Sequence, residues 1–299
     1  MRSLLFFCFA LVTLVNVRAV FPRADPGDAD DFVSNRTRML IYFQRNPNLT
    51  FSEMSDYWRV KHAPLFLSTK GVRQNILRYV QLHVNQEWKQ RLSKEGFSVP
   101  DWDGVMIAEA KSIDNILTAF NNKEYNETVL PDTAKYTNTN TGLTGFVKIT
   151  TVINKLPDEN SLPDSKLGVI RKDVQTLVGD FNSKPGMKYP DFVKYWTKVN
   201  TPKLVSVIKS SGEDKEVLDY ELNTLDPTKP TIGNPFPSFT DKWDAVAMLS
   251  SRNIGDVEDI LKNSKAAQFI RKDAPNFVDV KKGIDFIPCD VVSYKIPPP

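Results

Sequence analysis

A seven-residue stretch occurs twice in the chain and constrains the fold more than any other sequence feature. Tryptophan and proline occupy the same positions in Trp58–Pro64 and Trp196–Pro202, while the histidine of the first stretch becomes an asparagine in the second. Two further landmarks follow each copy in the same order, Asp101–Val105 with Asp241–Val246 and Asp132–Tyr136 with Asp273–Phe277. Three matches in one order indicate an internal duplication.

The N-terminus has the form of a secretory signal peptide. Met1 and Arg2 precede an apolar run, Leu4–Val12, and a small residue, Ala19, follows at the distance of a cleavage site. The run is too short to span a membrane comfortably and no second span follows, so we predict cleavage after Ala19 and a secreted protein. Cleavage also removes Cys8, which leaves Cys289 alone and excludes an intramolecular disulfide.

Charge and sequons give further bounds on function. The net charge of +3 falls to +1 when the two arginines of residues 1–19 are removed, which is no nucleic-acid-binding signature. Three Asn-x-Ser/Thr triplets, at Asn35, Asn48 and Asn126, predict glycosylation in a eukaryotic secretory route.

Composition shifts divide the chain into two copies of one unit. We predict a flexible leader at 20–37, a first repeat at 38–153, a linker at 154–174 and a second repeat at 175–296. Each repeat has the strand and helix order β-α-β-β-α-β of a ferredoxin-like unit, whose sheet carries helices on one face and needs a partner for the other. The predicted α+β fold is therefore a pair of such repeats packed sheet to sheet, as a monomeric single-chain dimeric α+β barrel.

The first helix carries the first histidine near its end. Thr50 and Glu53 have capping-box spacing, and Trp58 and His62 then follow on one helical face. Pro64 is expected to end or kink this helix, which places His62 in its last turn on the inward side.

The histidines differ between the copies. The chain has two in all, His62 and His83, and both lie in the first repeat, whereas Asn200 and Asn223 are expected at their positions in the second. A catalytic pair can be lost from a copy that is kept as a scaffold. A histidine at a helix end can also simply cap carbonyl groups, and one on a strand can simply bond across a sheet.

The strand of the second histidine alternates with period two, which puts Tyr79, Gln81 and His83 on one face. We align it with the second repeat by matching Leu82 to Leu222. If the polar face looks toward the helix of His62, the side chains could meet in one pocket; if it looks between the sheets, the histidines are separated.

Other chemistries have little support in the sequence. Asp103 and Asp132 recur as Asp244 and Asp273, which is typical of turns and caps. Nucleotide-binding and serine-hydrolase motifs are missing, and Cys289 has no histidine in its repeat. No close-spaced set of ligands occurs, so no metal site is predicted.

Five pieces of the first repeat carry a family resemblance: Phe51–Trp58, Lys61–Pro64, Arg78–His83, Trp102–Gly104 and Asp132. Together they resemble an EthD domain of the dimeric α+β barrel superfamily, especially its fungal members. The resemblance covers about residues 38 to 153, with a degraded copy at about 175 to 296. It implies a small pocket enzyme without an organic cofactor, similar to decarboxylases and dehydratases of aromatic polyketides, in a family labelled oxidoreductase for its link to ether degradation.

The resemblance makes His62 and His83 acid/base candidates and Tyr79 a hydrogen-bonding residue of the pocket, with Gln81 and Trp58 as substrate-binding candidates. We hypothesise a secreted, cofactor-independent lyase, a decarboxylase or dehydratase, that acts on a hydroxylated aromatic or polyketide-like small molecule. One histidine, charged near its ordinary pKa of about 6.5, would protonate the ring carbon that bears the carboxylate. The alternatives are a haem-dependent oxidoreductase with a histidine ligand and a non-catalytic secreted binder of small molecules.

Overall fold

A computed structural model describes residues 33–157, 159–225 and 242–298. The predicted signal peptide and most of the predicted leader lie outside these ranges, and the first strand begins at Val33. No helix in these ranges is long and apolar enough to cross a membrane.

The order of strands and helices confirms the duplication. The strands are β1 (Val33–Phe43), β2 (Ile76–Val84), β3 (Gly104–Ala110), β4 (Leu143–Asn154), β5 (Ile170–Phe181), β6 (Asp219–Leu225), β7 (Ala245–Ser251) and β8 (Ile284–Tyr294). The helices are α1 (Phe51–Tyr57), α2 (Ala63–Ser68), α3 (Lys70–Asn75), α4 (Gln86–Lys94), α5 (Ile113–Phe120), α6 (Leu130–Tyr136), α7 (Tyr189–Tyr195), α8 (Thr201–Ser211), α9 (Ile254–Lys262) and α10 (Lys265–Asp273). Wider π-helical turns span Trp58–His62, Tyr125–Val129 and Trp196–Asn200.

The eight strands form a closed antiparallel barrel in the order β1-β3-β2-β8-β5-β7-β6-β4. Each repeat contributes one ferredoxin-like sheet, β4-β1-β3-β2 and β8-β5-β7-β6, and the predicted fold class is confirmed. The two sheets join at both edges, through β2 with β8 and through β4 with β6. Their inner faces enclose an apolar core, and the helices cover the outer faces.

The strand register corrects the alignment of the two repeats. His83 pairs with Gly104, the residue after a Trp-Asp pair, and Thr224 pairs with Ala245, which also follows Trp-Asp. Thr224 therefore occupies the position of His83, and the expectation that Asn223 does so is wrong. Successive strand residues point to opposite faces, so an error of one residue reverses every side chain.

The burial pattern shows where the alignment fails. Leu82 packs inside the barrel, whereas Leu222 packs among the helices of the second repeat. Under the correct register Tyr79 corresponds to Tyr220, and both face the helices.

The expectation that the first helix ends at Pro64 is also wrong. The first helix does not end at Pro64, because the chain widens into the π turn at Trp58–His62 and continues as α2. In that turn the Ala63 N–H reaches the Trp58 carbonyl, five residues back, and Pro64 lies in the first turn of α2, where its missing N–H costs little. The stretch after β2 begins with α4, which the side chain of Asn85 caps and whose mostly polar sequence gives a weak helical signal.

An ion cluster lies inside the barrel and ties the repeats together. Arg38 is fully buried and its guanidinium contacts Glu109 Oε1 at 2.6 Å, Glu221 Oε2 at 2.7 Å and Asn223 Oδ1 at 2.8 Å. Burial opposes the ionisation of Glu109, but Arg38 and Arg78 hold its pKa at about 2. Because Arg38 belongs to the first repeat and Glu221 to the second, the cluster links the two halves.

Two of the three predicted glycosylation sites can be located. Asn48 and Asn126 are exposed, Asn48 just before α1 and Asn126 in the second π turn. The side chain of Asn35 lies outside the described part of the structure. Glycosylation stays a prediction.

Candidate active site

A small cavity lies between the helices and the sheet of the first repeat. Its volume is about 30 Å³. A single water molecule needs about 10–15 Å³, so the cavity has room for about two. Its wall is formed by Ile41, Phe43, His62, Phe66, Tyr79, Met106, Phe120, Tyr125, Leu130, Thr133, Tyr136 and Thr137. His62 and Tyr79, two of the predicted site residues, therefore meet at one space.

His62 is held by a carboxylate at the rim of the cavity. The π turn that ends at His62 points its ring toward α6, where His62 Nδ1 lies 2.9 Å from Asp132 Oδ2. The other oxygen, Asp132 Oδ1, accepts hydrogen bonds from the Tyr57 hydroxyl at 2.6 Å and from Lys135 Nζ at 3.0 Å. These contacts orient the imidazole and use both carboxylate oxygens.

The protonation state of this pair follows from its surroundings. The bond from His62, with Tyr57 and Lys135, holds the pKa of Asp132 well below its usual range, so the carboxylate is ionised. Burial lowers the pKa of His62, and Asp132 offsets part of this effect. At neutral pH the ring is therefore neutral and Nδ1 carries the proton that Asp132 accepts. That tautomer leaves a lone pair on Nε2, which has no hydrogen-bond partner among the described residues.

This geometry favours a base role for His62 over the expected acid role. A histidine that starts the reaction as an acid must be charged, and the lowered pKa of His62 makes its charged form a minor one near neutral pH. The arrangement is that of a general base oriented by a carboxylate.

His83 lies away from the cavity, in a separate hydrogen-bond network. Its Nδ1 is 2.9 Å from Ser55 Oγ and its Nε2 is 2.9 Å from Gln81 Oε1. The Gln81 amide nitrogen donates to the Trp58 carbonyl at 3.1 Å and to the Tyr79 hydroxyl at 3.0 Å. Since Gln81 uses its N–H groups there, its oxygen faces His83, whose Nε2 must donate while Nδ1 accepts from Ser55.

The ring of Trp58 stands between the two histidines. It packs on the His83 ring with centroids 4.5 Å apart and on the Tyr136 ring at 6.1 Å. The polar face of β2 does look toward the helices, but His83, Gln81 and Trp58 do not line the cavity. The structure thus brings together His62 and Tyr79 and leaves the other three predicted residues in the packing around them.

The buried His83 predicts a dependence of stability on pH. Burial lowers its pKa from about 6.5 to about 3, so below pH 6.5 the unfolded chain binds a proton that the folded chain does not. Stability should therefore fall as the pH drops from 6.5 toward 3, with His83 contributing about 2 kcal/mol of loss by about pH 5.

The measurement is urea unfolding of the wild type and of His83→Gln, each at about pH 6.5 and at about pH 5. His83→Gln cannot titrate, so its loss of stability between them should be smaller by that amount, while His62 contributes equally to both proteins. Equal losses in the two proteins would show that His83 is charged in the folded state.

The second repeat contains the same arrangement without the imidazole. Asn200 Nδ2 donates to Asp273 Oδ2 at 2.8 Å, and the Tyr195 hydroxyl donates to Asp273 Oδ1 at 3.0 Å. The tyrosine, the carboxylate and the π turn are thus kept, while asparagine replaces the histidine, the group that can take up a proton.

The family model described as the EthD domain matches residues 46–140 and 184–281, one segment in each repeat and together more than half of the chain. The chain belongs to the EthD domain family. No curated protein matches the chain.

Solved structures with similar folds have little sequence identity to this EthD protein. An anthrone oxidase-like protein is 9% identical, with 90% of this chain and 97% of that chain covered and a TM-score of 0.51. A monooxygenase-like protein of Lactobacillus acidophilus is 9% identical, with 87% and 96% covered and a TM-score of 0.50. A mutant chlorite dismutase from Candidatus Nitrospira defluvii is 11% identical, with 90% and 96% covered and a TM-score of 0.44. The first two of these likenesses show a shared fold and nothing further.

Sequence reasoning missed the partner of His62. Asp132 was expected to serve a turn or cap because it recurs as Asp273, but both carboxylates instead hold the side chain at the end of a π turn. The signal was present, since Tyr57 recurs as Tyr195 at the same spacing before the tryptophan of each EthD repeat.

The surroundings of His62 do not fit a haem. A haem bound to Nε2 would need a space of the size usual for cofactors, roughly 300–1,000 Å³, whereas the cavity beside His62 holds about 30 Å³. A much larger part of its wall, which consists largely of buried aromatic rings, would have to move for a haem than for a single aromatic ring. Among the described residues, no group of three or more His, Cys, Asp and Glu side chains could hold a metal ion. No step of the mechanism is therefore assigned to a haem.

Proposed function

We propose that this EthD protein is a cofactor-independent lyase of the dehydratase kind, acting on a hydroxylated aromatic or polyketide-like small molecule, with His62 as its general base. The observation that carries the proposal is the neutral His62, fixed by Asp132 at 2.9 Å, which lines an aromatic cavity and whose Nε2 has no hydrogen-bond partner among the described residues. In this proposal the protein acts outside the cell after removal of residues 1–19, which N-terminal sequencing of protein recovered from the medium would test.

The proposed reaction begins with proton removal. Nε2 takes a proton from a carbon beside a carbonyl group, and the C–H electron pair moves into the carbonyl to give an enolate. The enolate re-forms the carbonyl and expels a hydroxyl group from the next carbon, and the His62 imidazolium returns its proton to that group. Substrate is thereby converted to an unsaturated or aromatic product and one water, with no oxidant needed. Asp132 stabilises the charged ring between the two transfers.

A decarboxylation that starts with protonation of the ring carbon is less compatible with this site. That reaction needs a charged histidine before substrate reacts, whereas burial keeps His62 neutral. The Tyr79 hydroxyl accepts a hydrogen bond from Gln81, and Tyr79 lines the cavity. In this proposal the hydroxyl donates its own proton to a substrate oxygen.

A second candidate shares the first step and differs afterwards. The carbanion formed at His62 could reduce O₂, which converts a CH₂ group to a ketone and releases one water. The fold likeness to an anthrone oxidase-like protein, with a TM-score of 0.51, favours including this candidate.

The proposal requires the wall of the cavity to open. A single aromatic ring is larger than a space for about two water molecules. Side chains such as Phe66 and Phe120 must therefore move apart when substrate binds.

The test is proton exchange in D₂O on a panel of hydroxylated aryl ketones, followed by NMR. We expect deuterium to enter the carbon beside the carbonyl faster with enzyme than without, and water loss without O₂ uptake identifies the lyase. The rate should decrease as the pH falls through the lowered pKa of His62, because protonation removes the Nε2 lone pair. O₂ uptake would identify the oxidase, and binding without exchange would leave a small-molecule binder and refute the enzyme.

A further inference from the structure

Two largely buried tyrosines line the cavity with hydroxyls that have no hydrogen-bond partner among the described residues. Tyr125 and Tyr136 are 7% and 4% exposed, and both line the cavity beside His62. Buried tyrosine hydroxyls normally find a hydrogen-bond partner. Among the described residues neither of these two has one, although the Tyr79 hydroxyl in the same wall is bonded to Gln81.

The second repeat shows that the fold does not need these hydroxyls. Tyr136 corresponds to Phe277, and both rings stack on the equivalent tyrosine. The Tyr57 and Tyr136 centroids are 6.0 Å apart at 24°, and those of Tyr195 and Phe277 are 5.4 Å apart at 29°. The ring packing is kept in both halves, while the hydroxyl occurs only in the half that has the histidine.

The hydroxyl of Tyr125 also has no counterpart in the second repeat. It precedes Asp132 by seven residues, and the residue seven before Asp273 is Ala266, which is fully buried. The second repeat has thus lost two phenolic hydroxyls and the imidazole from equivalent positions, while it keeps the carboxylate. Joint loss indicates that the three groups serve one task.

The hydroxyls are suited to donate hydrogen bonds. Burial raises the pKa of both phenols, and nearby phenols raise them further, so both keep their protons at neutral pH. The negative charge that forms when His62 removes a proton beside a carbonyl develops on the carbonyl oxygen. Fixed donors in a water-poor site stabilise such charge strongly.

We propose that the hydroxyls of Tyr125 and Tyr136 bind the oxygen of an aromatic ligand, the carbonyl or phenolic oxygen that carries negative charge after proton removal. This inference rests on the proposed function for the identity of the reaction, and it adds a ligand class: aromatic molecules with an oxygen that is stable as an enolate or phenolate. Hydrocarbons of the same shape should bind less well.

The experiment compares two probes of similar size, 4-nitrophenol and 4-nitrotoluene, by equilibrium dialysis against the full-length mature protein. The wild type should prefer the phenol. Tyr125→Phe and Tyr136→Phe should each reduce that preference about three- to tenfold, the effect of one lost hydrogen bond. Tyr220→Phe removes a buried hydroxyl from the second repeat and should leave the preference unchanged.

Folding of each variant is checked by its thermal transition. Phe277 holds the position of Tyr136 in the second repeat and stacks there on Tyr195, so a phenylalanine ring is expected to pack at position 136 as well. Equal binding of both probes by the wild type, no binding of the phenol up to its solubility limit, or an unchanged preference in both variants would overturn the inference. The proposed function fails separately, through the D₂O exchange assay. Exchange without a tyrosine effect refutes the hydroxyl pair alone, and a tyrosine effect without exchange refutes the lyase alone.

Discussion

Replacing His62 with asparagine should lower turnover of an accepted substrate by about a hundred- to ten-thousandfold, the usual contribution of a positioned general base. The fold should survive, because the second repeat already contains this substitution. There Asn200 occupies the end of the same π turn and donates to Asp273 Oδ2 at 2.8 Å. An asparagine at position 62 can make the same bond to Asp132, and it lacks a nitrogen that can take up a proton.

The measurement is the steady-state rate with the thermal transition recorded in parallel. Asn200→Ala is the matched control, since it removes a bond to the equivalent carboxylate in the other repeat and should leave the rate unchanged. A His62→Asn variant that folds and turns over within about threefold of the wild type would show that another group takes the proton, and the mechanism would be wrong.

Replacing Arg38 with methionine should destabilise the protein by about 3–5 kcal/mol, the usual cost of removing one partner from a buried ion pair. Arg38 is fully buried and contacts Glu109 and Glu221 inside the barrel at 2.6 Å and 2.7 Å. Without the guanidinium, Glu221 keeps a charge in a poorly solvated space, although Arg78 still reaches Glu109 at 2.8 Å.

Urea unfolding gives the free-energy difference. The control is Lys295→Met, which breaks a pair with Asp164 whose side chains are 38% and 93% exposed, and it should cost less than about 1 kcal/mol. Adding Glu221→Met to Arg38→Met should recover part of the loss, because the uncompensated charge is then removed as well. A loss below about 1 kcal/mol for Arg38→Met would mean that water reaches the cluster.

Local patterns were enough to predict most of the fold. The duplicated tryptophan and proline indicated the repeat, and the strand order predicted for each repeat is present. The predicted capping box at Thr50 and Glu53 is confirmed in both directions. These features depend on neighbouring residues, which the sequence shows directly.

The errors arose where residues that are distant in the sequence determine the local structure. Pro64 failed to end its helix because the π turn before it adjusts the hydrogen-bond pattern, and the mismatch of Leu82 with Leu222 followed from choosing a register without knowing which face is inside. Only part of the site was predicted, because its other contacts also join residues that are distant in the sequence. His62 and Tyr79 share a cavity, but the bond to Asp132 joins residues 70 apart, and the Trp58 ring that separates His83 is placed by tertiary packing.

The ion cluster inside the barrel also determines whether one repeat can take the place of the other. In the second repeat the positions of Arg38 and Glu109 are held by Thr176 and Ser250, whose hydroxyls lie 2.8 Å apart. The position of Glu221 corresponds to Val80 in the first repeat. In a barrel assembled from two identical first repeats, each arginine would keep Glu109 but would face Val80 in place of Glu221, its second carboxylate. The duplicated halves have therefore become complementary, and a second copy of the first half would lack the charged contact that now joins the two.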